Sequence, residues 1–397
     1  MIEGLERCVG CMACRNICPH DAIEKRVDER GFIVPVVLKE RCTNCGLCKS
    51  VCPILNIKEE AALPVKAYAM YHLQEDVVKK SSSGGAFYGL AKKTLEMDGI
   101  VFGCHYDIGN KRAYLADTDH LELDALLTSK YVESDIGLQY RQVKTELERG
   151  RKVLFCGTPC QAAGLRRYLN RSYDNLLVVD FTCGATTAQP YLKDYLEEKE
   201  KNYHSKLTRM SFRDKDYGWG QYCMKLEFEN GKVYRKTAMS DPYFFCFLRS
   251  SMQRLGCHSC LFAHAHESDL VLADFWKCDH FEVDSNNRRG ISLVLAMSDK
   301  GVEALEAIRK DMHMEDLDVE KASYNLRNRT CTQEQWNNKL DEILKDQECA
   351  YQEGVTVLRK RLLSPKQRLR FAFRQFVMDH EKLKKFFPTL VGTGQIM

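Results

Sequence analysis

The chain has 397 residues, of which 44% are hydrophobic and 29% charged, and its formal net charge is +4. This composition is typical of a soluble globular protein with roughly two or three domains, and the small net charge gives no reason to expect nucleic-acid binding. No apolar run is long enough to span a membrane, and none precedes Cys8, so we expect no signal peptide and a cytoplasmic location.

Two cysteine runs of the same spacing lie near the N-terminus. Both follow C-x2-C-x2-C-x3-C-P, the bacterial ferredoxin spacing, in which the fourth cysteine reaches the other cluster. We therefore predict two 4Fe–4S clusters, one held by Cys8, Cys11, Cys14 and Cys52, and the other by Cys42, Cys45, Cys48 and Cys18. The alternatives are a pair of zinc sites, which use paired C-x-x-C units, and a disulfide framework, which is typical of secreted proteins.

The segment between the two runs predicts a hairpin over residues 28–37 that turns at Gly31. Residues 1–57 are thus predicted to form a small α+β bacterial-type two-cluster ferredoxin domain. An alanine-containing stretch that ends at Pro64 is predicted to be a linker.

Residues 64–310 alternate apolar runs with helical patterns and predict an α/β core with a mainly parallel sheet. The predicted buried strands are Gly99–Gly103, Lys152–Cys156, Asn175–Phe181, Asp269–Phe275 and Ile291–Ala296. The predicted helices are Ala86–Met97, Ile136–Arg149, Gln161–Leu169 and Gln189–Glu200. A second, antiparallel hairpin is predicted around Gly231 within Met210–Lys236.

A loop of three serines and two glycines, Ser81–Gly85, comes directly before the first of these helices. Hydroxyl groups, glycines and free amides at a helix N-terminus together form an anion or phosphate site. A flexible turn with an N-cap serine has the same composition, so the composition leaves both interpretations open.

Four further cysteines predict a third metal site. Cys160 and Cys183 each follow a predicted strand, and ligands in α/β sheets bind at the carboxyl ends of strands. Cys257 and Cys260 add a C-x-x-C pair, which completes a four-thiolate set for a third 4Fe–4S cluster. A zinc site or unrelated buried cysteines are the alternatives. The remaining cysteines are interpreted as small core residues, and Cys156 is the strongest rival ligand because it lies four residues from Cys160.

The order of motifs in the body resembles one family. The motifs are SSGGAF, SKYVES, VLFCGTPCQAAGL, VVDFTCG, a C-x-x-C, SDLVLADFW and RGISLVL. They are similar to the beta-subunit family of coenzyme F-420 hydrogenases and dehydrogenases, which includes 7-hydroxymethyl chlorophyll a reductase. The resemblance covers about residues 64–310, and a ferredoxin module in front is a common arrangement in that family.

The resemblance implies a flavoprotein with a 4Fe–4S cluster beside the flavin, on Cys160, Cys183, Cys257 and Cys260. It implies that FAD is bound by residues of the two serine loops and of two strand ends: Ser82, Ser83, Gly84, Gly85, Ser129, Lys130, Tyr131, Thr158 and Asp274. The chain departs from the family at Gly184, where a histidine is usual, and at Glu267, where an arginine is usual. Both departures concern the substrate pocket.

A flavin exchanges electrons in pairs and a cluster exchanges them singly, so a chain with both is predicted to couple the two. The predicted partners are a ferredoxin or another one-electron carrier protein and a small organic substrate, coenzyme F-420 being one candidate. Lys130 is the candidate for offsetting flavin charge, and His266 and His264 are candidate proton donors on an exposed loop. For Lys130 the alternative is a cation on the protein surface, and for each histidine it is a polar residue without a catalytic role. A non-catalytic electron-relay subunit of a larger complex is the alternative function.

Residues 311–397 are predicted to form a helical, basic C-terminal extension. Between residues 359 and 385 there are ten Lys or Arg and two acidic residues, interleaved with apolar ones. Such a helix suits peripheral contact with an anionic membrane or with an acidic ferredoxin, and the alternative is a helix packed on the body with a solvated basic face.

Overall fold

A computed structural model describes residues 5, 7–57, 63–276, 289–323 and 363–380, together with residues 355, 357, 358, 360, 361, 383 and 387. Its strands, in chain order, are β1 (Ile23–Val27), β2 (Ile33–Val37), β3 (Lys66–His72), β4 (Ile100–Asp107), β5 (Arg112–Asp117), β6 (Val153–Cys156), β7 (Leu176–Phe181), β8 (Leu207–Asp214), β9 (Cys223–Phe228), β10 (Val233–Thr237), β11 (Leu270–Asp274), β12 (Ser292–Ala296) and β13 (Met312–Leu317).

The α-helices are α1 (Ala13–Ile17), α2 (Leu47–Ser50), α3 (Glu75–Lys80), α4 (Ala86–Glu96), α5 (Leu123–Leu126), α6 (Gln139–Glu148), α7 (Pro159–Leu169), α8 (Gln189–Tyr203), α9 (Pro242–Leu248), α10 (Leu255–His258), α11 (Asp299–Glu306), α12 (Val319–Ala322) and α13 (Pro365–Asp379). Among the described residues, no helix is both long and apolar enough to cross a membrane.

The N-terminal module, residues 7–57, consists of the β1–β2 hairpin flanked by the short helices α1 and α2. The strands pair antiparallel, with Ile23 opposite Val37. The side chain of Asp28 closes the turn by accepting hydrogen bonds from the amides of Arg30 and Phe32. A hairpin is therefore present, but its first strand, Ile23–Val27, lies before the predicted range of residues 28–37, because four of its five side chains are exposed and leave no alternating apolar pattern.

The body is built on an eight-stranded mixed sheet of order β13-β3-β12-β11-β7-β6-β4-β5. The four neighbours β11, β7, β6 and β4 are parallel, and the outer strands join them antiparallel. Five of the eight strands run in one direction, so the predicted α/β core is confirmed with antiparallel edges that the sequence analysis did not assign. Strand β13 carries the sheet past residue 310, where the helical extension had been expected to begin.

A separate three-stranded antiparallel sheet, β10-β9-β8, contains the predicted hairpin around Gly231 and one further strand. Its aromatic and aliphatic side chains form a hydrophobic cluster with α8 and α9. Helix α13 packs against it through Gln375, whose side chain accepts from the amide of Thr237 at 2.9 Å, and through buried Met378. The basic helix is thus anchored on the body, although Leu369, on the same helix, is 72% exposed.

The N-terminal module and the body share one hydrophobic cluster, in which Cys11, Met12 and Ile33 pack with α6 and α7. Polar contacts reinforce this packing. Arg141 of α6 donates to the carbonyl oxygens of Asn16 and Cys18, both at 2.8 Å. The N-terminal module is therefore held directly against α6 and α7 of the body.

Candidate functional site

The eight cysteines of the N-terminal module surround two separate voids. Cys8, Cys11, Cys14 and Cys52, which we call the proximal quartet, line one of them. Cys18, Cys42, Cys45 and Cys48, the distal quartet, line a second void of about 200 Å³. The structure thus groups each run of three cysteines with the fourth cysteine of the other run, as the spacing predicts.

The two quartets differ in their exposure to solvent. Cys11, Cys14 and Cys52 of the proximal quartet are buried, whereas Cys45 of the distal quartet is exposed. Burial, with neighbouring thiols adding to it, raises the pKa of Cys14 to about 12. Within the described residues, no three His, Cys, Asp or Glu side chains converge tightly enough for a single metal ion. Thiols spread around a void suit a cluster, which also supplies the positive charge that holds them as thiolates.

A central cavity of about 280 Å³ opens at the carboxyl ends of β6, β7 and β11, where ligands bind in α/β sheets. Its wall holds nearly every predicted site residue of the body. The predicted residues that line it are Ser82, Ser83, Gly85, Ser129, Lys130, Tyr131, Thr158, Asp274, Cys160, Cys183, Cys257 and Cys260. Val9 and Gly10, which lie between Cys8 and Cys11 of the proximal quartet, line it too, so the cavity adjoins the N-terminal module.

Cys160, Cys183, Cys257 and Cys260, the inner quartet, come from three parts of the chain. Cys160 lies in the first turn of α7, where Thr158 caps the helix and its hydroxyl lies 3.1 Å from the Cys160 Sγ. Cys183 follows β7, and Cys257 is in α10. Burial raises the pKa values of Cys160 and Cys257 to about 12, and Cys183 lies near enough to Cys257 to add to this. The sulfur donors converge on one cavity, which fits a cluster in the same way as the other quartets.

The serine hydroxyls of the Ser–Gly loop hold the loop in place. Ser82 Oγ accepts from the Ser129 amide at 2.8 Å, which joins the two predicted flavin loops, and Ser83 donates to the Ile291 carbonyl at 2.6 Å. The anion donors left at this end of the cavity are the first amides of α4, which has no side-chain cap at Gly85. The interpretation with an N-cap serine does not hold, because the N-cap residue of α4 is Gly85. The helix amides remain as possible donors to an anion, whereas the serine hydroxyls stabilise the loop.

Gly84 is the one predicted loop residue outside the cavity wall. A Cβ atom at this position would lie 2.3 Å from the Met70 carbonyl oxygen and 2.8 Å from the Ser292 amide. The Gly84 amide also donates to Ser292 Oγ at 2.9 Å. Gly84 therefore lets the loop pack against β3 and β12, which differs from the predicted contact with a cofactor.

Lys130 and Tyr131 line the cavity next to Ser129. The Lys130 ammonium group donates to the carbonyl oxygens of Ala125 and Leu127. Burial lowers the pKa of Lys130 to about 8, against a weaker opposing effect of the neighbouring thiols of Cys104 and Cys156. The alternative of a surface cation is therefore wrong. The residue presents a cation inside the cavity that titrates near neutral pH.

Asp274 is held by a buried arginine that sequence reasoning missed. Arg213 of β8 donates to both carboxylate oxygens of Asp274, at 2.8 and 2.9 Å, and to the hydroxyl of Tyr131 at 3.1 Å. The Trp219 indole donates to the same carboxylate at 3.1 Å. Beside this pair, burial lowers the pKa of Lys215 to about 7. No local pattern indicates this network, because Arg213 directly follows the buried Phe212, and a register shift between Ser211 and Asp214 interrupts the alternation of β8.

His266 does not reach the cavity. Its Nδ1 lies 2.8 Å from a carboxylate oxygen of Asp180 in β7, and both side chains are almost fully buried. The expectation that His266 lies on an exposed loop is wrong, because its side chain is buried against Asp180 of β7. Glu267, one of the two departures from the family, pairs with Arg167 at 2.8 Å. Cys104 and Cys156, interpreted as core residues, line the cavity beside Lys130.

Comparison with known proteins agrees with the motifs. Residues 150–321 match the family model for the C terminus of the beta subunit of coenzyme F420 hydrogenase/dehydrogenase. Residues 7–55 match the 4Fe-4S dicluster domain. The resemblance inferred from the sequence is thus confirmed for these segments, and the chain is an iron–sulfur, electron-transfer protein related to those beta subunits.

Among solved structures, a chain of the F420-reducing NiFe hydrogenase complex from Methanosarcina barkeri is 14% identical, with a TM-score of 0.46. That alignment covers 72% of this chain and 94% of the other. No curated protein matches the chain.

Proposed function

We propose that the chain is an iron–sulfur flavoprotein oxidoreductase. It couples one-electron exchange with a ferredoxin-like carrier to the two-electron reduction or oxidation of a small organic substrate. The observation that carries the proposal is that one cavity is lined by both the inner quartet and the two loops expected to bind FAD. FAD, when bound there, exchanges an electron pair with the substrate and single electrons with the clusters.

The cavity wall suits a flat, negatively charged cofactor. Aromatic and apolar side chains, among them Phe87, Phe247 and Phe262, line much of it. Its volume of about 280 Å³ is just below the ~300–1,000 Å³ of small-molecule sites. The free amides at the N-terminus of α4 suit a pyrophosphate.

Lys130 and Asp274 have separate roles in this proposal. The Lys130 ammonium offsets negative charge inside the cavity, where low polarity strengthens the interaction. The Arg213–Asp274 pair fixes Tyr131 and the Ser82 backbone in position, since the guanidinium bonds to both. His266, which is buried outside the wall, has no part in proton transfer to the substrate.

A second candidate is a non-catalytic relay subunit of a hydrogenase or dehydrogenase complex. Two observations favour it: the matching family model describes a beta subunit, and the serine hydroxyls are already bonded within the protein. A relay needs the three quartets and no flavin.

The amounts of iron, sulfide, zinc and flavin in anaerobically purified protein separate the candidates. About twelve irons, an equal amount of sulfide and one FAD per chain are expected for the flavoprotein. About twelve irons without flavin would support the relay subunit instead of the flavoprotein. About eight irons and no flavin refute both the inner cluster and the enzyme.

A further inference from the structure

A buried ion pair lies at the junction of the N-terminal module and the inner quartet. It joins Arg254, directly before α10, to Glu133, on the loop after Tyr131. Their side chains are 4% and 6% exposed. A buried pair of charges is costly to desolvate and commonly adds little stability, so its position calls for an explanation beyond stability.

The contacts of Arg254 place its charge between two sets of cysteines. One terminal nitrogen donates to the carbonyl oxygen of Cys8, in the proximal quartet, at 3.3 Å. The other donates to the Ile33 carbonyl at 2.9 Å and to Glu133. At the opposite end, the Arg254 backbone carbonyl accepts from the amide of Cys257, in the inner quartet, at 2.9 Å.

Electrostatic effects agree with this placement. The thiols of Cys8 and Cys257 both lie near enough to favour the charged form of Arg254. Among the described residues, the Arg254 Nε–H has no hydrogen-bond partner. A buried donor without a protein acceptor is costly, and hydrogen bonds to cluster sulfur atoms tune reduction potentials.

We propose that the Arg254–Glu133 pair sets the reduction potentials of the proximal and inner clusters relative to the distal cluster, and so the driving force for electron transfer between the distal cluster and the two clusters beside the pair. The Arg254 charge stabilises the extra negative charge of a reduced cluster and raises its potential, and the Glu133 carboxylate opposes it. The step is the transfer of one electron, in which one cluster is oxidised and the other reduced, with no bond made and no proton moved. For the inner quartet this rests on the proposed function.

Opposite shifts in potential test the proposal. The variants are Glu133→Gln, which removes the negative charge at nearly constant shape, Arg254→Gln, which removes the positive charge, and Arg254→Lys, which keeps it. Potentials are measured by redox titration of the anaerobic full-length protein, followed by electron paramagnetic resonance. The distal cluster is assigned with Cys45→Ser, because that ligand is remote from the pair and exposed.

Glu133→Gln is expected to raise the proximal and inner potentials and Arg254→Gln to lower them. Each shift is expected to be about tenfold in the one-electron equilibrium constant, or about 59 mV. Arg254→Lys is expected to stay near the wild type, and the distal potential to stay unchanged in all three. Shifts of the same sign in both Gln variants, or equal shifts at the distal cluster, would assign the pair a purely structural role.

Two controls keep the outcome decisive. If Arg254→Gln fails to assemble its clusters, Glu133→Gln alone decides, since an unchanged proximal potential overturns the proposal. Iron content is measured on every variant. A wild type with about eight irons refutes the inner cluster of the proposed function, while the proximal potential still tests the charge pair.

Discussion

Replacing Cys160 by serine is expected to remove one whole cluster, and the cavity offers a matched control. Cys160→Ser and Cys156→Ser make the same exchange four residues apart. Both thiols line the central cavity, and burial raises the pKa of each to about 12. Only Cys160 belongs to the inner quartet. Any general cost of a buried hydroxyl should therefore be similar in the two variants.

The magnitude follows from the grouping of the cysteines. Three quartets around three voids correspond to about twelve irons, and losing the inner cluster leaves about eight. Cys160→Ser is expected to show about eight irons with matching sulfide, and Cys156→Ser about twelve. The assay is iron and acid-labile sulfide per chain after anaerobic purification, with thermal melting to confirm that both variants fold. Twelve irons in Cys160→Ser, or eight in Cys156→Ser, would refute the assignment of the inner quartet.

Three further predictions concern the cavity wall and the packing of the body. Lys130 has a pKa of about 8, so its positive charge is present below that pH and lost above it. Because that charge is proposed to hold FAD, retention of FAD measured by equilibrium dialysis is expected to fall as the pH rises through 8. In Lys130→Met we expect FAD retention to be about 10–100-fold weaker at pH 7 and no longer to fall as the pH rises through 8. A variant with the same pH profile as the wild type would exclude Lys130 as the group that holds FAD. Gly84→Ala would place a Cβ 2.3 Å from a backbone oxygen, so a loss of at least about 1–3 kcal/mol is expected in thermal melting. Gly109→Ala, whose nearest contact would be 3.4 Å, is its neutral control, and equal melting of the two would contradict the packing argument. On α13, buried Met378→Ala is expected to cost about 2–5 kcal/mol and exposed Leu369→Ala under about 0.5, whereas similar losses would mean that the exposed face is covered.

Local patterns predicted much of the fold and of the site. The partition of the eight N-terminal cysteines follows from spacing alone, because three cysteines three residues apart are confined to one loop. The convergence of Cys160 and Cys183 follows from two parallel neighbouring strands whose carboxyl ends meet at one edge. Apolar runs predicted the central strands because strands buried on both faces are continuously apolar.

The features that the sequence did not reveal depend on contacts between distant parts of the chain. Arg254 and Glu133 are 121 residues apart, and Arg213 and Asp274 are 61 apart, so no local pattern links either pair. The sequence predicts an exposed loop at His266, yet Asp180, 86 residues earlier, holds its side chain inside. Gly84 looked like a phosphate-loop glycine, although the requirement for glycine comes from the backbone of β3.

The contact between α7 and the N-terminal module determines how the three quartets are ordered in space. A Cβ at Gly164, one turn beyond Cys160, would lie 3.1 Å from both Cβ and Sγ of Cys11. The helix that carries an inner cysteine therefore rests directly on a proximal cysteine. Cys14 of the proximal quartet in turn lies near Cys48 of the distal quartet, and Cys45 of the distal quartet is exposed. The quartets thus form one series from the surface to the cavity, with no need for the module to move. The module and the body share a hydrophobic cluster, so the module is packed as part of the body rather than tethered to it. The electron transfer that we propose along this series is therefore expected to depend on fixed distances and on charges such as that of Arg254.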